Sequence, residues 1–377
     1  MSPKPYTGEL FPPHQAARFA VQGWLASRLV LLITVLILIW TQKWRVIEPF
    51  SHWDAVHFML IARRGYTLVT EAAFFPGLPM LMAAFKFIGI PFVVTGVLLS
   101  LVGSGMSAWA LYRLAGGSIR GAVAVLAWSF APMAVFTFVP YTESIFCAFA
   151  LWAFWFAKRN RWAWAGALAG AACLFRVSGL FLIGALGLIA LVGIANSTWK
   201  KRMLRIAWLG IPMAVLAAYM VFLRVRFGSW TVWFEAQIKG WGRSFHWPWE
   251  AFVTTMQAAG WFGSTPQVSS IMFSWEMVAF AVGIAVTVWC FVRKKIPEGG
   301  WVGIQVLALS CQVWFISMTR SVLLWFPLFL WVSAASMRTL PRWKNDLRRG
   351  LLITLLGLEM LCMIWWADRF FCGAWAG

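Results

Sequence analysis

Apolar runs close to membrane-spanning length recur along this chain, and short clusters of basic residues separate several of them. Because a transmembrane helix needs about 20 consecutive apolar residues, this recurrence predicts an all-α polytopic membrane protein. Hydrophobic residues make up 62% of the chain and charged residues only 12%, which is unlike a soluble protein of this length. No polar stretch is long enough to form a separate water-soluble core. We therefore expect one membrane-embedded domain over residues 1 to 377.

We predict about eleven transmembrane helices, with boundaries that can err by several residues. The predicted spans are 21 to 41, 92 to 112, 120 to 139, 143 to 157, 162 to 177, 179 to 196, 206 to 223, 273 to 292, 300 to 317, 321 to 337 and 350 to 367. The stretch from Phe74 to Ile90 is also apolar, but it is short and contains two prolines and Lys86. We expect it to dip into the membrane or lie at its surface.

The formal charge of +20 is explained by membrane topology and does not require a nucleic-acid partner. Nineteen of the 32 basic residues fall in predicted cytoplasmic segments, including the cluster Lys158, Arg159 and Arg161. This pattern predicts a cytoplasmic N-terminus in the inner (plasma) membrane, with the bilayer as the main partner. Two long segments, 42 to 91 and 224 to 272, then lie on the external face, where we expect the active site.

The first external segment contains a short predicted interfacial helix over residues 51 to 66. Helical spacing places Asp54, His57 and Arg64 on one face, next to Trp53. A carboxylate there can accept a proton, and an imidazole and a guanidinium can bind phosphate. The alternative is a solvated amphipathic face with an Asp–Arg pair, and spacing alone leaves both interpretations open.

Further candidates lie beside predicted spans. Tyr141 and Glu143 stand where a helix begins, so they could contact a ligand, or Glu143 could simply favour the positive end of that helix. Arg176 and Arg320 lie in apolar surroundings on the predicted external side. Either they snorkel to the surface, or they bind an anionic group such as a lipid phosphate.

The second external segment mixes aromatic side chains with Gln237 and Arg243. Aromatic faces with polar edges suit a sugar or a prenyl chain, but such a loop can equally rest on lipid headgroups.

A metal site is not predicted. His52, Asp54 and His57 are close in sequence, but zinc would need a further fixed ligand. A divalent cation between Asp54 and Glu143 is possible but not expected, and no other cofactor is indicated.

Six segments, in order and spread over about residues 24 to 337, resemble a known family. They are WDAVHFMLIARRGY, EAAFFPGLPML, PYTES, LFRVSGL, AQIKGWGRSFHWPW and RSVLLWFPLFL. Together they look like the second GPI mannosyltransferase family and its bacterial relatives, within the C-type glycosyltransferase superfamily.

The resemblance implies an inverting enzyme that transfers a hexose, usually mannose, from a polyprenyl-phosphate carrier. By position, Asp54 is the catalytic base, and His57, Arg176 and Arg320 are candidates to bind the donor phosphate. Candidates for contact with sugar or acceptor are Trp53, Arg64, Tyr141, Glu143, Gln237 and Arg243. The chain lacks the large external insert of the eukaryotic members of this family. Since a bacterial cell is not expected to make GPI anchors, we expect the acceptor to be a glycolipid, a lipoglycan or a protein hydroxyl.

Two other functions stay open at this stage. Intramembrane arginines and an aromatic loop would also serve a transporter or flippase of lipid-linked sugars. A non-catalytic assembly subunit is the third possibility.

Overall fold

The computed structural model describes residues 12 to 192, 198 to 261, 269 to 337 and 342 to 376, and the regular structure of these residues is entirely helical. The α-helices in these ranges are α1 Pro13–Gln42, α2 Asp54–Arg64, α3 Gly77–Phe87, α4 Phe92–Leu114, α5 Ile119–Ser129, α6 Glu143–Lys158, α7 Trp162–Cys173, α8 Ser178–Val192, α9 Trp199–Trp208, α10 Gly210–Phe227, α11 Val232–Trp241, α12 Pro248–Ala258, α13 Ser270–Val292, α14 Ile296–Ser310, α15 Met318–Ser321, α16 Phe326–Ser336 and α17 Arg342–Phe371. Short 3₁₀ helices occur at Glu48–Phe50, Val69–Ala73, Pro132–Thr137 and Val322–Leu324.

Five helices among the described residues are long and apolar enough to cross a membrane: His14–Gln42, Phe92–Leu114, Trp199–Phe227, Ser270–Val292 and Asp346–Phe371. A sixth span is possible if Met318–Leu324 and Phe326–Ser336, which meet at a bend of 68°, are counted together. The chain is therefore an integral membrane protein, as predicted. The count of eleven spans is not confirmed.

Several predicted spans end early in the structure. The spans predicted at 120 to 139, 162 to 177 and 300 to 317 stop being α-helical after Ser129, Cys173 and Ser310 respectively. The residues after these helix ends are also apolar, so the hydropathy of the sequence stays high. The backbone, however, is no longer α-helical there. The end of the span predicted at 179 to 196 falls on residues 193 to 197, outside the described residues.

A buried arginine stabilises one of these interruptions. Arg28 of α1 donates to the carbonyl oxygen of Ser129 at 3.2 Å and to the hydroxyl of Thr137 at 2.6 Å. Irregular backbone inside a membrane protein must be hydrogen-bonded internally, and Arg28 supplies donors for both ends of the break.

The first segment predicted to be external, 42 to 91, contains helices α2 and α3, and their predicted position at the membrane interface stays a prediction. Helix α2 packs against α3, and α3 packs against α4. With 11 residues, α3 is about 17 Å long, which is too short to cross a hydrocarbon core of about 30 Å alone. The second external segment contains α11 and α12, and α11 packs against Val69–Ala73 of the first segment. Residues 262 to 268 of this segment lie outside the described residues.

Close packing of α4 fixes the segment that leads into α6. A Cβ atom added at Gly103 would lie 2.8 Å from the backbone nitrogen of Ile145. On the same side of α4, Ser100 donates to the carbonyl oxygen of Val139 at 2.6 Å, and Ser107 donates to that of Ser144 at 2.9 Å. Small residues thus let α4 approach the backbone that carries Tyr141 and Glu143.

Candidate active site

A cavity of about 770 Å³ opens at the end of the bundle where α5, α7 and α14 stop. It brings together the two segments predicted to be external, the turns after these helices, and the residues that follow α17. Eight of the ten predicted site residues line it, namely Trp53, Asp54, His57, Tyr141, Arg176, Gln237, Arg243 and Arg320.

Asp54 is the first residue of α2 and faces the cavity. The preceding residue, Trp53, has a φ of 52°, a backbone conformation that a bulky side chain rarely adopts. Two contacts hold this turn: the indole N–H of Trp53 donates to the carbonyl oxygen of Ala374 at 3.1 Å, and the backbone N–H of Asp54 donates to the hydroxyl oxygen of Tyr141 at 3.2 Å. The position of the carboxylate is therefore fixed from both sides.

Asp54 belongs to a chain of ion pairs. Arg320 donates from Nη1 to Asp54 Oδ2 at 3.0 Å, and Arg320 Nε lies 2.8 Å from Glu143 Oε1. The same Glu143 oxygen accepts from Arg176 Nη1 at 2.6 Å. Glu143 is fully buried and does not line the cavity, so it lies behind the two arginines as their shared counter-ion.

The guanidinium of Arg320 lies between Asp54 and Glu143, at the position where the sequence made a divalent cation conceivable. The two histidines of that region have separate partners: His52 Nε2 lies 3.1 Å from the carbonyl oxygen of Phe371, and the ring of His57 stacks on Phe74 at 4.8 Å. Across the described ranges, no group of three or more His, Cys, Asp or Glu residues is arranged to hold a metal ion. The expectation of no cofactor stays a prediction.

Arg64 lies outside the cavity lining, although helical spacing placed it on the face of Asp54. It pairs instead with Glu71 at 3.0 Å. Burial raises the pKa of Glu71, but backbone hydrogen bonds from Leu68 and Thr67 and the charge of Arg64 outweigh it, so the pKa lies below its usual range. This ion pair stabilises the turn after α2. Because Arg64 lies outside the cavity lining, its position does not support a contact with a bound sugar.

Arg243 connects the second external segment to the turn before α15. It donates to Gln237 Oε1 at 3.3 Å and to Ser317 Oγ at 3.2 Å. Burial, with a smaller contribution from the nearby charge of Arg320, lowers the pKa of Arg243 to about 10, so Arg243 remains a cation at neutral pH.

Glu276 holds the turn that carries Arg320. Its carboxylate accepts from the backbone N–H groups of Ser317 at 3.1 Å and Thr319 at 2.8 Å, and from the Thr319 hydroxyl at 3.0 Å. Glu276 was not among the predicted site residues. An acidic residue within the predicted apolar span 273 to 292 was the signal that could have identified it.

Sequence reasoning also missed several cavity residues because they come from distant parts of the chain. They are Phe136, Trp241, Gln305, Gln312, Phe370 and Trp375. The two glutamines could have been noticed as polar residues two helical turns apart at the end of an apolar span.

Neither a family model nor a curated protein matches this chain. Solved structures do. The crystal structure of ArnT from Cupriavidus metallidurans bound to undecaprenyl phosphate matches with a TM-score of 0.53 and 13% identity, over 94% of this chain and 75% of that one. The structure of the same protein in the apo state matches with a TM-score of 0.52 and 15% identity, over 94% and 76% of the two chains. The chain therefore shares the fold of this ArnT, and the predicted all-α polytopic membrane architecture is confirmed.

Proposed function

We propose that this protein is an inverting glycosyltransferase that moves a hexose, with mannose as the expected sugar, from a polyprenyl-phosphate carrier to a hydroxyl acceptor. The observation that carries the proposal is the cavity-facing carboxylate of Asp54 beside two partly buried arginines, Arg320 and Arg176. A proton acceptor next to two phosphate-binding groups is what this reaction needs.

The mechanism uses one base and no protonated leaving group. Arg320 holds Oδ2 of Asp54, and Oδ1 makes no hydrogen bond to the described part of the chain, so Oδ1 is the oxygen available to the acceptor hydroxyl. As Oδ1 takes the hydroxyl proton, the acceptor oxygen attacks C1 of the sugar. The bond from C1 to the phosphate oxygen breaks, and its electron pair leaves with the phosphate. A β-linked donor gives an α-glycoside.

Arg320 and Arg176 suit the departing phosphate because each guanidinium is a fixed cation with several donors. His57 lines the same cavity and is a third candidate for this contact. The ArnT structure of the same fold contains undecaprenyl phosphate, which supports a polyprenyl-phosphate carrier for this chain as well.

The acceptor we propose is a glycolipid, a lipoglycan or a protein hydroxyl. Trp53, Tyr141, Gln237 and Arg243 line the cavity and are the candidates to contact sugar or acceptor. The proposed location is the inner membrane, with the N-terminus in the cytoplasm and the cavity on the external face. The segregation of basic residues in the sequence supports this orientation.

The first test is Asp54→Asn in a transfer assay with undecaprenyl-phosphate mannose and membrane glycolipids. We expect turnover to fall by about 10² to 10⁴-fold, because the amide cannot accept the proton. Affinity for undecaprenyl phosphate should change little, since the arginines are retained.

The same assay separates the enzyme from a flippase. A flippase would move labelled undecaprenyl-phosphate mannose across a vesicle membrane without forming a glycoside. Neither the wild-type protein nor Asp54→Asn would then form any glycoside product. Full transfer by Asp54→Asn would remove Asp54 as the base.

A further inference from the structure

We infer that Gln305 and Gln312 form a hydroxyl-recognition subsite for the sugar of the donor. The inference rests on the proposed function and deepens it, because it assigns the sugar to residues that differ in chemistry from the phosphate-binding arginines.

Gln305 is the better-buried member of the subsite. It lies in α14, lines the cavity and is 2% exposed. Its amide nitrogen donates to the carbonyl oxygen of Trp301 at 2.7 Å, which fixes the orientation of the amide group. The amide oxygen has no hydrogen-bond partner anywhere in the described residues. A buried acceptor without a partner is costly, so a ligand that donates a hydrogen bond there would be stabilised.

Gln312 repeats this arrangement two residues after the end of α14. It also lines the cavity, and its buried amide oxygen likewise lacks a partner within the ranges that the structure covers. Trp233, from α11, adds an indole N–H that lines the same cavity and is buried without an acceptor among these residues. The three groups together offer two acceptors and one donor.

The cavity is therefore divided by chemistry. Arg176, Arg243 and Arg320 can only donate hydrogen bonds and carry positive charge, so they suit phosphate oxygens. The unpaired amide oxygens of Gln305 and Gln312 can only accept hydrogen bonds, so these atoms suit sugar hydroxyls and not the oxygens of an ionised phosphate. A molecule with both a phosphate and a hydroxyl-rich ring satisfies both sets at once.

The test compares two probes on the detergent-solubilised full chain: undecaprenyl phosphate, and undecaprenyl-phosphate mannose. Gln305→Leu and Gln312→Leu keep the approximate size of the side chain and remove the acceptor. We expect each to weaken binding of the sugar-bearing probe by about tenfold and to leave binding of the bare carrier unchanged. Gln257→Leu is the matched control, because Gln257 is exposed on α12 and does not line the cavity.

Unchanged affinity of both leucine variants for the sugar-bearing probe would overturn the inference, and so would an equal loss for both probes. Gln312→Leu keeps the test decisive if Gln305→Leu fails to fold, because Gln312 is less buried. A wild-type protein that binds neither probe would instead refute the proposed function. Tight binding of the bare carrier with no gain from the sugar would refute only the subsite.

Discussion

Charge alternates along the ion pairs that run from Asp54 through Arg320 and Glu143 to Arg176. Glu143 is the only member that is fully buried, and one of its oxygens contacts both arginines. Two cations held this close repel each other unless an anion lies between them. Glu143 therefore positions the arginines, and the phosphate site depends on a residue that does not line the cavity.

Glu143→Gln should lower both the free energy of unfolding and the affinity for undecaprenyl phosphate. Neutralising the shared counter-ion leaves the partly buried Arg176 without its anion and Arg320 with Asp54 alone, at a cost of about 3 to 5 kcal/mol in the free energy of unfolding. We expect affinity for undecaprenyl phosphate to fall by about tenfold as the arginines separate. Thermal unfolding and lipid binding in detergent measure the two effects.

Glu71→Gln provides the matched control, since Glu71 is equally buried but pairs with Arg64 outside the cavity. It should lower stability without changing carrier affinity. Carrier binding by Glu143→Gln at the wild-type level would show that Glu143 does not position the arginines.

Sequence spacing predicted part of this site and failed for Arg64, whose partner lies in the turn that follows its helix. It correctly placed Asp54 beside Arg320 and Arg176 on one side of the membrane domain, because loop order and basic clusters carry that information. It placed Arg64 with Asp54 because both lie on one helical face, but Glu71 binds Arg64 away from the cavity. A salt bridge to a residue in the next turn is not visible in helical periodicity.

At the level of elements, helix–helix distance is set by small residues. Gly103 of α4 lies so close to α6 that even a methyl group would meet its backbone. The segment held there, from Val139 to Ile145, carries Tyr141 and Glu143 into the site. The spacing between α4 and α6 thus sets the position of residues in the cavity wall.

Gly103→Ala should lower the free energy of unfolding by about 1 to 3 kcal/mol, because the new Cβ overpacks a rigid backbone contact. Transfer activity should fall as well, since Tyr141 shifts relative to Asp54. Gly184→Ala is the control, because a Cβ added at this position in α8 has no atom within 4 Å. Equal melting temperatures for the two variants would contradict the packing argument.

The ends of the short helices could not be predicted from hydropathy. The stretch after Ser129 is as apolar as a membrane span, yet it contains a 3₁₀ helix, Pro132–Thr137. Arg28 of α1 donates hydrogen bonds to Ser129 and Thr137 at the two ends of this stretch. The composition of a segment indicates whether it is apolar enough to lie in a membrane. It does not indicate where a side chain distant in sequence will form a hydrogen bond with the backbone and so allow a helix to end.

On the scale of the whole molecule, the proposed orientation predicts which end of the bundle faces outward. Cys372 is exposed and follows α17 at the cavity end, whereas Lys200 is exposed at the start of α9. In a variant whose sole cysteine is Cys372, a membrane-impermeant maleimide should label intact cells with an accessible periplasmic face. Lys200→Cys in a cysteine-free background should be labelled only after permeabilisation. The reverse pattern would place the cavity on the cytoplasmic side.

The overall architecture was the most predictable property, because a hydrophobic chain with regular basic loops has few ways to fold in a bilayer. The number of crossings was not, since α5 and α7 are shorter than their apolar sequences. Those sequences continue as turns that line the cavity.

These short helices also bear on the proposed function, in which the donor is a long-chain lipid. At about 1.5 Å per residue, α5 with 11 residues is about 17 Å long, whereas α13 with 23 residues is about 35 Å long. The cavity opens at the end of the bundle where the short helices stop. The proposed function requires a lipid carrier to bring its phosphate to the arginines there. Extracting the tail of such a carrier into water would cost about 0.8 kcal/mol for every methylene, so we expect the tail to stay among the acyl chains while the head reacts.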